Sequence, residues 1–414
     1  MLGQFTGVLG IAVILLVALA LSTNRRAINL RIVGTAFLLQ AGIAALVLYV
    51  PAGRAAIEWI SSGVSALLSY ASAGIDMVFG PLASATGGTI FAIHVLPVVI
   101  FFASLASVLF FLGIMQVIVS GLGRALGLVT GTAPVEAVYA AGNIFFGQSE
   151  APLLIKPYLN GLTGPQLFAI MATGMAGVAG TILGAYALLG MDIKYLLAAS
   201  FMAAPGGLLM AKMIMPDDPA DRGKPHQEVS LKEARGDAEN VIMAAAVGAK
   251  DGLGIAVSIA AMLIAFVSLI ALLNGILGGV GGLIHFGPVN LEGLSVQRIL
   301  GWIFAPVMWL INIPWSEAPL AGSFFGEKLV LNEFVAYAHL GQETASLSPK
   351  TLAIVTFALC GFANLSSIAI QIGVIGALAP GRIPEVARFG LRAVAAGSLS
   401  NLMSAALASL FIAG

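Results

Sequence analysis

Apolar residues run along this chain in blocks of about twenty, the length that crosses a lipid bilayer. Eight blocks stand out: 5–21, 31–50, 91–119, 165–190, 194–214, 252–273, 351–377 and 391–412. Each is expected to form a membrane-spanning helix. Residues 53–80 mix apolar positions with Arg54, Glu58, serines and glycines, which predicts an interfacial segment. Residues 134–160 and 299–340 are apolar enough to enter a bilayer. The first is interrupted by Glu150 and Pro152, the second by Pro314, Glu317 and Pro319. Irregular backbone at membrane depth survives only where protein or a water-filled cavity surrounds it, so both are expected to be re-entrant hairpins. Residues 216–250 carry both signs of charge and read as a loop outside the membrane. The expected class is an all-α integral membrane protein with eight transmembrane helices and two re-entrant hairpins.

The sequence also repeats itself. Ser149-Glu150-Ala151-Pro152-Leu153 returns as Ser316-Glu317-Ala318-Pro319-Leu320. Residues 169–180 line up in the same order with 353–364, ending Gly177-Val178-Ala179-Gly180 and Gly361-Phe362-Ala363-Asn364. The offset grows from 167 residues (149 to 316) to 184 (169 to 353), which predicts an insertion in the second copy after its hairpin. Three blocks lie between the hairpins, so the copies should enter from opposite sides. Such an inverted-topology repeat is the layout of many secondary transporters, with binding near the midplane.

Composition sharpens this picture. Hydrophobic residues make up 59% and charged residues 9%, with mean hydropathy +1.02; a soluble chain carries roughly 25% charge. Zero net charge argues against a nucleic-acid-binding face. The single cysteine, Cys360, excludes an intramolecular disulfide and a cysteine-based metal site. His94, His226, His285 and His339 lack metal-ligand spacing. Gly10 to Leu21 leads into Asn24-Arg25-Arg26 without a small-residue cleavage pattern, so it reads as a retained span. Arg25, Arg26 and Arg31 put the first connection on the cytoplasmic side and the N-terminus outside. Counting crossings places Arg124, Lys156, the 216–250 loop, Arg382, Arg388 and Arg392 on that same side.

Ionisable residues at membrane depth are costly and default to functional candidates. Gly147 and Pro152 bracket an expected helix break, after which Gln148, Ser149 and Glu150 set donors and acceptors in a row. That row suits the edge of a heterocyclic base; the plainer alternative is a polar tip lining water. Glu333 offers two acceptor oxygens, enough for the vicinal hydroxyls of a ribose. Its alternative is a salt bridge to Lys328 at the membrane rim. Asn364 and Ser367 would share one face if helical, and either bind ligand or glue helices. Glu317, as repeat mate of Glu150, could hold a tip, gate access or touch ligand. His94 and His339 read as packed or interfacial. No nucleophile–base pair, metal cluster or phosphate loop is visible, and Gly147-Gln148-Ser149-Glu150-Ala151-Pro152 lacks the second glycine of a hydrolase elbow. A carrier is favoured over a channel or an intramembrane enzyme.

At these residues the chain resembles the concentrative nucleoside transporters in their bacterial form. Gly147 to Pro152 is similar to the family's first hairpin motif. Gly326-x-Lys328-x-x-x-Asn332-Glu333-Phe334-Val335-Ala336-Tyr337 matches its signature. Pro314 to Ala318 and Gly361 to Ser367 also look like family segments. The resemblance implies a homotrimer in the bacterial inner membrane, with an elevator-type transport domain. Residues 1–120 and 251–297 would be scaffold and external segment; 121–215 and 298–414 would be the two transport repeats. Gln148, Ser149 and Glu150 would bind the base of a nucleoside such as uridine, with Ile182 packing on it. Glu333, Asn364 and Ser367 would hold the ribose, with Phe362 nearby. Sodium, the expected coupling ion, would lie at Asn143 with carbonyls of Phe146, Gly177 and Val178. Some sodium-coupled relatives have serine where this chain has Gly177. A proton is therefore the alternative coupling ion, and a nucleobase or other small polar solute the alternative cargo. No further cofactor is implied.

Overall fold

The computed structural model describes residues 2–83, 90–219, 238–283, 285–286, 289–290 and 293–412, with Val229 and Leu231. The chain opens with α1 (Leu2–Ala20), α2 (Leu30–Leu48) and α3 (Pro51–Phe79), followed by α4 (Phe91–His94), α5 (Leu96–Phe111) and α6 (Ile114–Thr130). Next come α7 (Pro134–Leu154), α8 (Gly164–Ala176), α9 (Gly180–Leu188), α10 (Ile193–Ile214) and the long α11 (Val241–Leu283). The second half holds α12 (Val296–Leu310), α13 (Ala318–Val330), α14 (Glu333–Gln342), α15 (Pro349–Leu359), α16 (Ser366–Leu378) and α17 (Ile383–Phe411). Among the described residues, a two-residue antiparallel ladder, His285 with Asn290 and Phe286 with Val289, is the exception to an all-α fold. Among the described residues seven helices are long and apolar enough to cross a membrane.

Burial sorts these helices. Within the segments Gly164–Leu188 and Ile193–Ile214, 94% of the most apolar window lies inside the protein, against 17% for Val241–Gly279 and 11% for Pro51–Leu82. The broken helices and α10 thus form the centre, and α3 and α11 the outside. Starts are set locally. Thr163, Asp192, Ser295 and Ser348 accept hydrogen bonds from the first-turn amides of α8, α10, α12 and α15, which satisfies donors the helix itself cannot.

The seam between α5 and α11 depends on small residues. A Cβ on Gly252 would stand 2.7 Å from the Ile100 Cα, and one on Gly248 2.5 Å from the Ser107 Cβ. Ser104 and Ser107 donate their hydroxyls to the carbonyls of Ala245 and Ala244 at 2.9 and 2.8 Å. Close backbone approach and interhelical hydroxyl bonds are how helices associate without a water-driven hydrophobic effect.

Both hairpins reverse the chain. Gly142 abuts the Leu154 side chain, yet twelve residues of straight helix would separate them by about 18 Å. The reversal is at Gly147, with φ 68° and ψ 179°. In the second hairpin, His339 Nδ1 lies 3.0 Å from the Glu327 carboxylate, again twelve residues apart, with the break at Leu331–Asn332 between α13 and α14. The two pairs correspond at an offset of 185, from 142 to 327 and from 154 to 339. The first helices after each hairpin keep that offset, from Gly164 to Pro349.

That common offset corrects the repeat. The match of 169–180 with 353–364 stands within one residue of it, but the Ser-Glu-Ala-Pro-Leu match at 167 does not. Glu150 follows the break of its hairpin, whereas Glu317 precedes α13. The pentapeptides are not structural mates, and no insertion follows the second hairpin.

Other boundaries move as well. Block 91–119 is not one span, because Gly113, at φ 80°, separates α5 from α6. Blocks 165–190 and 351–377 are each broken, at 177–179 and 360–365. Residues 299–340 hold three helices, with the hairpin confined to α13 and α14. Residues 241–250 belong to α11 rather than the 216–250 loop, of which 220–228, 230 and 232–237 lie outside the described residues. Segment 53–80 is a single helix whose length alone would suffice to cross.

Candidate functional site

The tip of the first hairpin sits where the two broken helices meet. A Cβ on Gly147 would lie 2.8 Å from the Ala179 Cβ and 3.0 Å from Phe362 Cε2. Glycine is required here twice over, by space and by a backbone conformation that is essentially glycine's alone. The breaks themselves touch. The Phe362 amide donates to the Gly177 carbonyl at 3.1 Å, and Asn401 Nδ2 donates to the carbonyls of Ala176 and Cys360 at 2.6 and 3.0 Å.

Around this crossing a chain of hydrogen bonds joins both hairpins. Gln148 Nε2 donates to Ser367 Oγ at 2.6 Å. The Ser367 amide donates to Asn364 Oδ1 at 2.8 Å, and Asn364 Nδ2 donates to Glu333 Oε2 at 3.3 Å. Tyr186 donates its hydroxyl to Glu333 Oε1 at 2.9 Å. Gln371 Nε2 donates to Gln148 Oε1 at 3.1 Å and to the Met171 carbonyl at 2.9 Å. Gln148, Glu333, Asn364 and Ser367 are all at most 5% exposed. Gln148 and Glu333 are each the first residue after their hairpin's break, and 185 positions separate them.

Four of the eight candidate ligand residues therefore join one network through their side chains, and a fifth, Phe362, joins it through its carbonyl, which accepts from the Ser367 hydroxyl. Phe362 is half-buried against the Gly147 tip, and Ile182 is buried on α9. Ser149 is exposed and Glu150 half-buried on the second arm; among the described residues no hydrogen bond joins them to the network. Two members escaped the sequence reading. Tyr186 lies one turn beyond Ile182, and Gln371 one turn beyond Ser367, so each shares a helix face with a candidate. A search for polar residues four positions away would have found both.

The proposed rim salt bridge of Glu333 is not present. Lys328 is fully buried, and its ammonium donates to the Ala358 carbonyl at 2.8 Å and to Asn401 Oδ1 at 2.6 Å. Glu317 accepts from the Ser348 hydroxyl at 3.0 Å, tying the start of α13 to the start of α15. His339 is an interior partner of Glu327, which also accepts from Gln297 at 2.9 Å.

Of the four residues expected around the ion, Asn143 and Gly177 are in contact. Asn143 Nδ2 donates to the Thr173 carbonyl at 3.0 Å. Its Oδ1 is buried without a hydrogen-bond partner among the described residues, as is Thr173 Oγ1. A buried acceptor left unsatisfied costs about 1–3 kcal/mol, and hard cations choose oxygen ligands, so this donor set fits a small cation. A Cβ on Gly177 would stand 2.5 Å from Asn143 Nδ2. Glycine thus leaves the Asn143 amide where it is, and a serine would displace it. The Gly177 carbonyl already accepts from Phe362 but retains a second lone pair. Phe146 and Val178 are both buried.

Comparison with known proteins decides the family. Residues 9–82 match the family described as the N-terminus of the Na+ dependent nucleoside transporter, and residues 195–409 match its C-terminus. Residues 92–192 match a gate described as nucleoside recognition. The chain belongs to the concentrative nucleoside transporter family. These proteins are membrane transporters, not enzymes. An uncharacterized transporter of Bacillus subtilis, YutK, is 49% identical over 98% of this chain and 99% of its own. The nucleoside permease NupC of Helicobacter pylori is 46% identical over 98% and 97%. Human sodium/nucleoside cotransporter 1 is 36% identical over 98% of this chain but 64% of its own. The transporter CNTnw in an inward-facing substrate-bound state superposes with TM-score 0.91 at 47% identity, covering 98% of both chains. A CNTnw variant in an outward-facing state gives 0.92 at 46%, covering 99% and 98%.

Proposed function

We propose that this transporter is a sodium-coupled nucleoside symporter of the cytoplasmic membrane. The observation that carries the reading is the buried chain from Gln148 through Ser367 and Asn364 to Glu333, beside the unsatisfied Asn143 oxygen. Gln148, Ser149 and Glu150 present donors and acceptors to the base, with Ile182 packed on its face. Glu333 takes the ribose hydroxyls with Asn364 and Ser367, and Phe362 closes the side. Each Glu333 oxygen has one protein donor, Tyr186 or Asn364, and a carboxylate has about four lone-pair sites. Two vicinal hydroxyls can therefore join without displacing the groups that aim it.

Sodium would be held by the Asn143 oxygen and by carbonyls of Phe146, Gly177 and Val178. Its charge would fix the tip that carries Gln148, so ion and nucleoside binding favour each other, and linkage makes that effect reciprocal. The reading extends to an inverted pair of repeats, a homotrimer, an external N-terminus, and a transport unit that moves both hairpins against a scaffold containing α5 and α11.

The test is uridine uptake into proteoliposomes under a sodium gradient, a proton gradient, or neither. Accumulation with sodium alone is expected. Accumulation with protons alone would retain nucleoside transport and reject the Asn143 ion site. Inert uridine, adenosine and cytidine would reject the nucleoside assignment.

A further inference from the structure

The two hairpins make one contact alike in placement but different in charge, neutral in the first and cationic in the second. In the first, Asn143 reaches the carbonyl of Thr173, thirty residues on, in the last turn of α8. In the second, Lys328 reaches the carbonyl of Ala358, also thirty residues on, in the last turn of α15. Asn143 to Lys328 and Thr173 to Ala358 are each 185 positions, the same offset that relates the hairpin pairs. Lys328 is thus the counterpart of the side chain at the expected ion site.

The surroundings suit a cation. The ends of α8 and α15 bring unsatisfied carbonyls and the negative ends of two helix dipoles, about half a charge each. Asn401 collects them. Its amide donates to Ala176 and Cys360, one at each helix end, and its oxygen accepts from Lys328. Both hydrogen-bonded partners of the ammonium are neutral oxygens, and the Phe325 ring lies 5.6 Å from it. A fully buried ammonium without a bonded carboxylate is expensive. That cost is offset here by several oxygens and dipole ends, as at an ion site, together with the field of the Glu333 carboxylate.

We infer that the Lys328 ammonium is a tethered cation filling the second repeat's counterpart of the ion site, so that one mobile ion, not two, couples transport. The inference rests on the reading of Asn143 as the first site. In the first repeat the positive charge comes and goes with the gradient; in the second it is built into the chain. The second hairpin is therefore held against its broken helix throughout the cycle, while the first is free to loosen whenever its ion leaves.

Lys328→Asn, which places the first repeat's side chain in the second, tests this in the full-length protein. Two readouts are needed: thermal stability of the purified transporter in sodium chloride against choline chloride, and the sodium dependence of uridine uptake. The variant should be destabilised in choline and recover in sodium by a larger shift than wild type. Its Hill coefficient for sodium should rise from near one towards two. Lys328→Met, which supplies neither charge nor oxygen, should be destabilised in both salts. The inference fails if Lys328→Asn folds with wild-type sodium dependence, if sodium does not rescue it, or if Lys328→Met matches wild type. Should wild-type uptake prove proton-driven, the first-site reading falls, and the stability comparison still decides whether position 328 takes a cation.

Discussion

The two hairpins of this transporter are built to one plan and broken by two devices. The first turns at Gly147, whose positive φ and crowded surroundings exclude any side chain. The second turns at Leu331–Asn332, where no glycine is needed. Asn332 is extended, and its side chain accepts from the Val335 amide, capping α14. Their first residues after the break differ too: a neutral amide at Gln148, a carboxylate at Glu333. One hairpin thus offers matched donors and acceptors, while the other offers acceptors alone. On the proposed reading, a ligand with a heterocyclic edge at one end and vicinal hydroxyls at the other would bind between such unlike tips. The lesson is that an internal repeat supplies the frame, and divergence at matched positions supplies selectivity.

The largest effect should come from removing the charged half of that pair. Glu333→Ala should lower uridine uptake by about a hundredfold or more, since a lost charged acceptor leaves the hydroxyls and Tyr186 without a partner. Gln148→Ala, removing neutral bonds only, should lower it by roughly tenfold. Gel filtration of both variants checks that the fold survives; equal losses would erase the proposed division of labour.

The breaks themselves give the next test. Gly147→Ala should cost about 1–3 kcal/mol in backbone strain, besides the contact with Ala179, and should lower both stability and uptake. Asn332→Ala should cost about 1 kcal/mol, the worth of a cap. Thermal melts of the two variants, side by side, read the difference. A Gly147→Ala protein as stable as Asn332→Ala would mean that the first tip is not conformationally locked.

A smaller change is expected at the ion. Asn143→Ala should raise the sodium concentration for half-maximal uptake by about tenfold, the value of roughly one ligand bond, with little change in maximal rate at saturating sodium. Unchanged sodium activation would remove Asn143 from the site.

Much of this was legible in sequence, because lipid imposes a simple rule on it. Polar residues inside apolar blocks, such as Glu333 and Asn364, have to face protein or water, and these two belong to the network. Hairpins betray themselves where proline and charge interrupt membrane-length segments. Register is another matter. The matched pentapeptides at 149 and 316 have the same composition and different places, because hydropathy carries no information about which turn a residue occupies. The turn at Gly113 was hidden for a similar reason: the residues on both sides of it are apolar. Tyr186 and Gln371 were missed because a lone polar residue in an apolar helix looks like packing until its neighbour one turn away is known to bind.

The seam of α5 with α11 has a practical consequence. Its grip comes from glycine-permitted approach and from hydroxyls bonded to backbone, neither of which depends on what surrounds the pair. Exchange of lipid for detergent should leave it intact. By contrast, α3 turns Trp59, Tyr70 and Met77 outward, at 79%, 68% and 89% exposure, and its hold depends on whatever those side chains meet. Extraction should loosen the molecule from α3 inward, and a detergent chosen to shelter that helix is the one in which purified protein will keep its activity longest.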